Sequence, residues 1–308
     1  MPRTALRVFA RLAYQVASWQ WSPYGSKFAP KKFTQPSLLA CLLVKEYLRL
    51  DYRGLEALLV SASELRAALG LTAVPDHSMV HWFLRHKVTP TLLKRVRATT
   101  LRLFTRRFRR GRRVGALDAT GFARRPASRD YVTRRRCGAS RFSLSSLLVW
   151  IRPQGICAQA TRVGPGSQSR LLRPLVEETQ AVVPLDRLLA DADSDSEAHH
   201  QGLRETCGIE SIIPATKGHR RVRSPYRRRM RQHFPRRAYG QRWLVEPVHA
   251  VLKRKFGEAL TARTPWQQVK PSLLRGITYN LYRAVRLGLV VWRWWRHRCC
   301  RLSITFAT

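Results

Sequence analysis

At 308 residues and 44% hydrophobic content, the chain can fill about two ordinary domain cores and is too apolar to remain disordered. Lys and Arg number 58 against 18 Asp and Glu, a net charge of +40, where solubility needs only about 2–8 on a small domain. The excess points to a polyanionic partner, nucleic acid foremost.

Residues 1–33 are basic and aromatic, with Pro23, Gly25 and Pro30 closing an irregular arm. From Pro36 the pattern turns helical, with Leu38, Leu39, Leu42, Leu43 and Tyr47 at three- and four-residue spacing. Further helices are expected over 52–60, from Ser63 to a stop at Gly70, from Asp76 or Ser78 to Lys87, and from Thr89-Pro90 to Arg110. The third and fourth have a helix-turn-helix outline, with residues 78–87 as the groove-facing candidate. At Arg113 the period changes. A short apolar run ends in Asp118, and strands over 142–151 and 156–163 flank a Pro153-Gln154-Gly155 turn. A helix over 169–182, a strand run over 188–190 ending in Asp191, a helix over 197–207 and a strand over 211–213 follow. Residues 218–237 are expected to be a basic irregular loop, and the last clear element is a helix over 241–256.

Three strands, helix, strand, helix, strand, helix is the order of a ribonuclease-H-like α/β fold, a mixed sheet flanked by helices, here preceded by an all-helical segment. The expected division is a basic arm over 1–33, a helical DNA-binding domain over 34–111, a ribonuclease-H-like catalytic domain over 112–285 and a basic, Trp-rich tail over 286–308. The six cysteines form no C-x-x-C pair, which argues against a structural zinc site and against a disulfide framework. Residues 1–11 lack the apolar run of a signal peptide, and Arg283, Arg286 and Arg293 interrupt the most apolar C-terminal stretch. A cytoplasmic, nucleoid-associated location is therefore expected.

Acids are scarce, so their placement carries information. Asp118 and Asp191 end strands that lie side by side in such a sheet, with Asp193, Asp195 and Glu197 crowding in after the second. Two close carboxylates repel each other unless a cation sits between them, and hard oxygen ligands suit Mg²⁺. The bland alternative is a pair of turn-capping aspartates. Tyr239, Arg242, Glu246 and Lys253, at offsets of 3, 7 and 14, fall within an arc of about 60° on one helical face. Glu246 there can complete a metal site, while Arg242 and Lys253 can hold phosphates and Tyr239 can pack near the DNA backbone. His77 and His81, four apart, and the Glu246-x-x-His249 pair lack further partners in the sequence and are set aside.

The spacing Tyr239-x2-Arg242-x3-Glu246-x6-Lys253 resembles the Y-(2)-R-(3)-E-(6)-K signature of DDE transposases from bacterial insertion sequences. LDATGF around Asp118 and LLADADSDSE around Asp191 resemble the family's two aspartate motifs. The resemblance implies a catalytic trio of Asp118, Asp191 and Glu246 binding two Mg²⁺ ions (or Mn²⁺). It also implies hydrolysis and strand transfer at terminal inverted repeats, a target DNA, and a homodimer on DNA. Asp193 and Ser194 depart from the family's Gly-Tyr, and Pro247 predicts that the helix begins or kinks at Glu246. Two other functions fit the same residues: a decayed transposase that only binds DNA, and a ribonuclease-H-like nuclease that cuts without joining.

Overall fold

The structure, a computed structural model, describes residues 3–28, 30–124, 142–163, 169–216, 222–260 and 265–289. The tail beyond residue 289, with its tryptophans and Cys299-Cys300, lies outside the described residues.

Helix α1 spans Arg3–Ser18, where an irregular arm is expected from the sequence. Phe9, Leu12, Ala13 and Val16 recur on one face and are buried, and Phe9 stacks on Tyr47 with ring centroids 4.1 Å apart. Arg7 and Arg11 occupy the opposite side of that short period, and they hide it in a composition-level reading. Helix α2 (Gln35–Leu48) starts where Thr34 accepts a hydrogen bond from the Ser37 N–H, and it ends at left-handed Arg49. Residues 36–44 are buried without interruption, so α2 is the central helix of this part. Helices α3 (Tyr52–Ser61), α4 (Ser63–Ala68), α5 (His77–His86) and α6 (Pro90–Arg107) surround it. Asp51, Asp76 and Thr89 cap three of them through side-chain oxygens, which satisfies N–H groups left open at a helix start.

The sheet has the order β3-β2-β1-β4-β5, from β1 (Val114–Arg124), β2 (Phe142–Trp150), β3 (Gly155–Val163), β4 (Arg187–Leu189) and β5 (Glu210–Ile212). The first three pair antiparallel, while β4 and β5 run parallel to β1. Helix α7 (Ser169–Gln180) precedes β4, and α8 (Glu197–Gln201), prolonged by a wide turn over Gly202–Thr206, precedes β5. This is a ribonuclease-H-like mixed sheet flanked by helices. Strand β1 runs six residues beyond Asp118, which the sequence analysis puts at its end, because β2 pairs with it from Gly115 to Ala123.

Helix α9 (Pro225–Gln232) and the single turn α10 (Arg236–Tyr239) occupy half of the stretch expected to be an irregular loop. A tight helical segment, Gly240–Val245, leads into α11 (Glu246–Phe256). The short strand β6 (Ala259–Leu260) pairs with the far end of β1. The last described element is the 22-residue α12 (Pro265–Arg286), whose buried face mixes Leu273, Leu274, Ile277 and Leu281 with Ser272, Thr278 and Asn280. There Asn280 exchanges two hydrogen bonds with the backbone of Ile156, at 2.8 and 2.9 Å. Ser272 receives the Gln159 amide at 2.9 Å, and Gln268 accepts from Ser143. Buried polar groups survive in a core only when so paired, and here they bind α12 to β2 and β3.

Candidate active site

Along one side of β1, pairing with β4 stops at Ala116 and pairing with β6 starts at Ala123. Between those two positions the strand edge lies open, and Asp118 sits at its start. Asp191 follows two residues after β4. The sheet thus brings the two acids of the sequence motifs to one edge, as expected from strand order.

One guanidinium joins them. Arg242 Nη1 lies 3.1 Å from Asp118 Oδ1, and Nη2 lies 3.7 Å from Asp191 Oδ2. The other Asp191 oxygen, Oδ1, accepts the Asp193 N–H at 2.8 Å. Each oxygen of Asp191 therefore has a separate task, one capping the turn over Ala192–Ser194 and one facing the arginine. Arg242 is held in turn by Tyr239, whose Oη accepts from Nε at 3.2 Å, and Phe234 packs edge-on against that ring at 5.0 Å. The tight segment Gly240–Val245 carries Arg242 into the opening beside β1.

Burial alone would raise the Asp118 carboxyl. His249 and Arg242, with the Ala119 N–H, outweigh burial and hold it below the usual carboxylate range. Burial works against the charge of Arg242 in the same way. Tyr239, Asp118 and Asp191 outweigh it and hold the guanidinium above its ordinary value. The ionised forms support each other.

Glu246 opens α11 and is exposed, with Pro247 in the first turn. Proline fits there because its missing N–H would have no helical partner. The helical stretch over 241–256 is thus a tight segment followed by α11, which begins at Glu246 as Pro247 predicts. Tyr239 and Arg242 sit before that junction, and Lys253 sits two turns beyond Glu246, half-buried. Among the described residues, the carboxylate oxygens of Asp118, Asp191 and Glu246 do not all fall within 4.8 Å of one another. The structure brings Asp118, Asp191, Arg242 and Tyr239 together, while no hydrogen bond or ion pair among the described residues joins Glu246 or Lys253 to them.

His249 belongs to the group as well, although the sequence analysis sets it aside. Its Nε2 lies 3.3 Å from Asp118 Oδ2, and the residue is 9% exposed. The usable signal is its place three residues after Glu246 in a helix, one turn along the same face. Two carboxylates sharing one cationic group, with an imidazole beside them, form a donor set whose chemistry suits a hard divalent cation. The one three-residue cluster of potential ligands within 4.8 Å among the described residues is elsewhere, at Glu56, Asp76 and His77. Its contacts are those of a helix start: Glu56 accepts from the His77 N–H and faces its ring at 2.8 Å, and Asp76 accepts from the Ser78 N–H. Among the described residues, no helix is long and apolar enough to cross a membrane.

Comparison with known proteins adds two likenesses. Residues 109–281 match the Transposase DDE domain family, a stretch that holds every element from β1 through most of α12. No curated protein matches the chain. Among solved structures, a chain of a piggyBac transposase synaptic complex with hairpin DNA is similar, at 9% identity and a TM-score of 0.43. The alignment covers 100% of this chain and 87% of that chain. So distant a likeness supports no argument.

Proposed function

Because the chain belongs to the Transposase DDE domain family, we propose that it is an insertion-sequence transposase whose Asp118, Asp191 and Glu246 hold Mg²⁺, or Mn²⁺. The observation that supports this best is the guanidinium shared by Asp118 and Asp191, at 3.1 and 3.7 Å: two carboxylates gathered around one positive group. Bound divalent ions would activate an attacking water or 3′-hydroxyl and stabilise the leaving oxygen of a phosphodiester. His249 orients Asp118. Arg242, anchored by Tyr239, and Lys253 supply positive charge for the phosphates on either side of the scissile bond.

Its DNA partners are the terminal inverted repeats of the element and a target duplex. Residues 34–111 contribute to DNA binding, and residues 112–285 carry out the chemistry. Two ends joined in one event call for a homodimer on DNA, and light scattering of the complex with end DNA should give two protomers per two ends. One protomer per two ends would rule the dimer out.

A second reading has its own observation. Asp191 Oδ1 already caps a turn, which is the task of an aspartate with no catalytic role, and this favours a chain that only binds DNA. The test is a reaction of purified protein and Mg²⁺ on a plasmid carrying the gene with its native flanks. Cut and joined ends support the transposase. Binding without cleavage supports the DNA-binding protein, and cleavage without joined products supports a nuclease.

A further inference from the structure

The acids that follow Asp191 do not gather around it. The Asp195 side chain is fully buried, and its carboxylate takes the Arg227 guanidinium by two hydrogen bonds, Nε at 2.9 Å and Nη2 at 2.7 Å. It also accepts the Thr216 N–H at 2.8 Å. Glu197 receives the N–H groups of Tyr226 and Arg227 at 3.0 and 3.1 Å, so the first turn of α9 is capped by a carboxylate from another element. Tyr226 adds a third attachment, its hydroxyl donating to Glu205 at 2.9 Å while the Arg204 guanidinium lies 5.3 Å from its ring. Met230 is buried beneath the helix. Four named contacts on a helix of eight residues hold it far more firmly than its own propensity could.

The outer side of this helix is cationic. Residues 222–245 contain eight arginines and no acidic residue. Arg228, Arg229 and Arg231 on α9, and Arg236 and Arg237 on α10, are exposed. Among the described residues, no ion pair is seen for Arg228 or Arg229. Five exposed arginines within ten residues concentrate positive charge on this stretch, and Asp195 and Glu197 hold its first helix in place. A polyanion with regularly spaced charges offsets that concentration, and a duplex phosphate backbone has that pattern.

We propose that α9 and α10 form a phosphate-tracking ridge for duplex DNA, and that Asp195 and Glu197 are positioning residues that fix it relative to Asp191. The proposal rests on the transposase reading for its partner, but it concerns a surface outside the acidic site. The ridge leads along the chain into Tyr239 and Arg242, so a strand gripped there is registered against the reacting group.

The experiment is a fluorescence-anisotropy titration of the full chain with a duplex of its flanking DNA, without divalent metal, at several salt concentrations. The double variant Arg228→Ala/Arg229→Ala is compared with Arg170→Ala/Arg173→Ala, which removes the same charge from α7. Each lost phosphate contact lowers the slope of log K against log salt by about 0.9, so the ridge variant should lose about 1.8 and the α7 variant clearly less. A ridge variant with the wild-type slope, or equal losses in both variants, overturns the proposal while leaving the transposase reading intact. A wild-type chain that binds the duplex without salt dependence overturns both.

Discussion

Asp195 shows how a residue's surroundings decide its role. In the sequence it stands four residues after Asp191 and counts as part of an acidic crowd around a metal. In the fold it faces the other way, against Arg227 and the Thr216 N–H. Burial raises its carboxyl, and Arg227 and Thr216 outweigh that and hold it below the usual carboxylate range. A depressed folded value means that its contribution is fully present above the ordinary Asp value of about 3.9 and is lost as pH falls through the folded value. Asp195→Asn should therefore destabilise the protein by about 2 kcal/mol near neutral pH, less than the 3–5 kcal/mol of a fully buried pair because Arg227 is 30% exposed. Urea unfolding at pH 7 and pH 3 checks this. The gap between wild type and variant should narrow at the lower pH, and an equal gap at both would contradict the assignment. The same scale explains why His249 escaped notice: a lone histidine has no meaning in a sequence until a carboxylate is found 3.3 Å away.

At the scale of elements, what was legible had local causes. Pro36, Asp76 and Thr89-Pro90 announce helices because capping chemistry is confined to a few adjacent residues, and α2, α5 and α6 start there. The two aspartate strands and the β2–β3 turn were visible for a similar reason. What was missed depends on distant partners. Helix α9 is capped by Glu197, 29 positions away from Tyr226. Helix α12 turns Ser272, Thr278 and Asn280 inward among its buried leucines, so its inner face reads as mixed until the partners of Ser272 and Asn280 on β3 and α6 are known. Its close approach to β3 gives a direct test at Gly276. A Cβ at that position would come within 2.1 Å of Gln159 Oε1, and Gln159 is itself buried and bonded to Ser145 and Ser272. Gly276→Ala should cost about 1–3 kcal/mol by overpacking, measured by urea denaturation. A neutral or stabilising effect would show that α12 can move off the sheet.

For the molecule as a whole, one hydrophobic core runs from Phe9 in α1 to Ala284 in α12. Helix α12 packs against β3 of the sheet and also against α2 and α6 of the helical part. The halves expected from the sequence as separate units thus share their largest helix. Thermal unfolding should show a single cooperative transition by circular dichroism and by calorimetry, and two well-separated transitions would show that the shared packing is weak. The high net charge, +40, suits a protein that spends its working life on a polyanion, and low salt without DNA should leave it more prone to self-repulsion than its core size implies.

We propose that Asp118, Asp191 and Glu246 act together on DNA. The most direct test is single-turnover cleavage of end DNA in Mg²⁺ by wild type, Asp118→Asn, Asp191→Asn and Glu246→Gln, with DNA affinity measured alongside without metal. Wild type should cleave, each variant should be slower by a factor on the order of a thousand or more, and all four should bind DNA alike. Wild-type cleavage by any one variant would contradict the proposal, and Asp191→Asn is the sharpest case, since a turn-capping role alone would leave the rate unchanged.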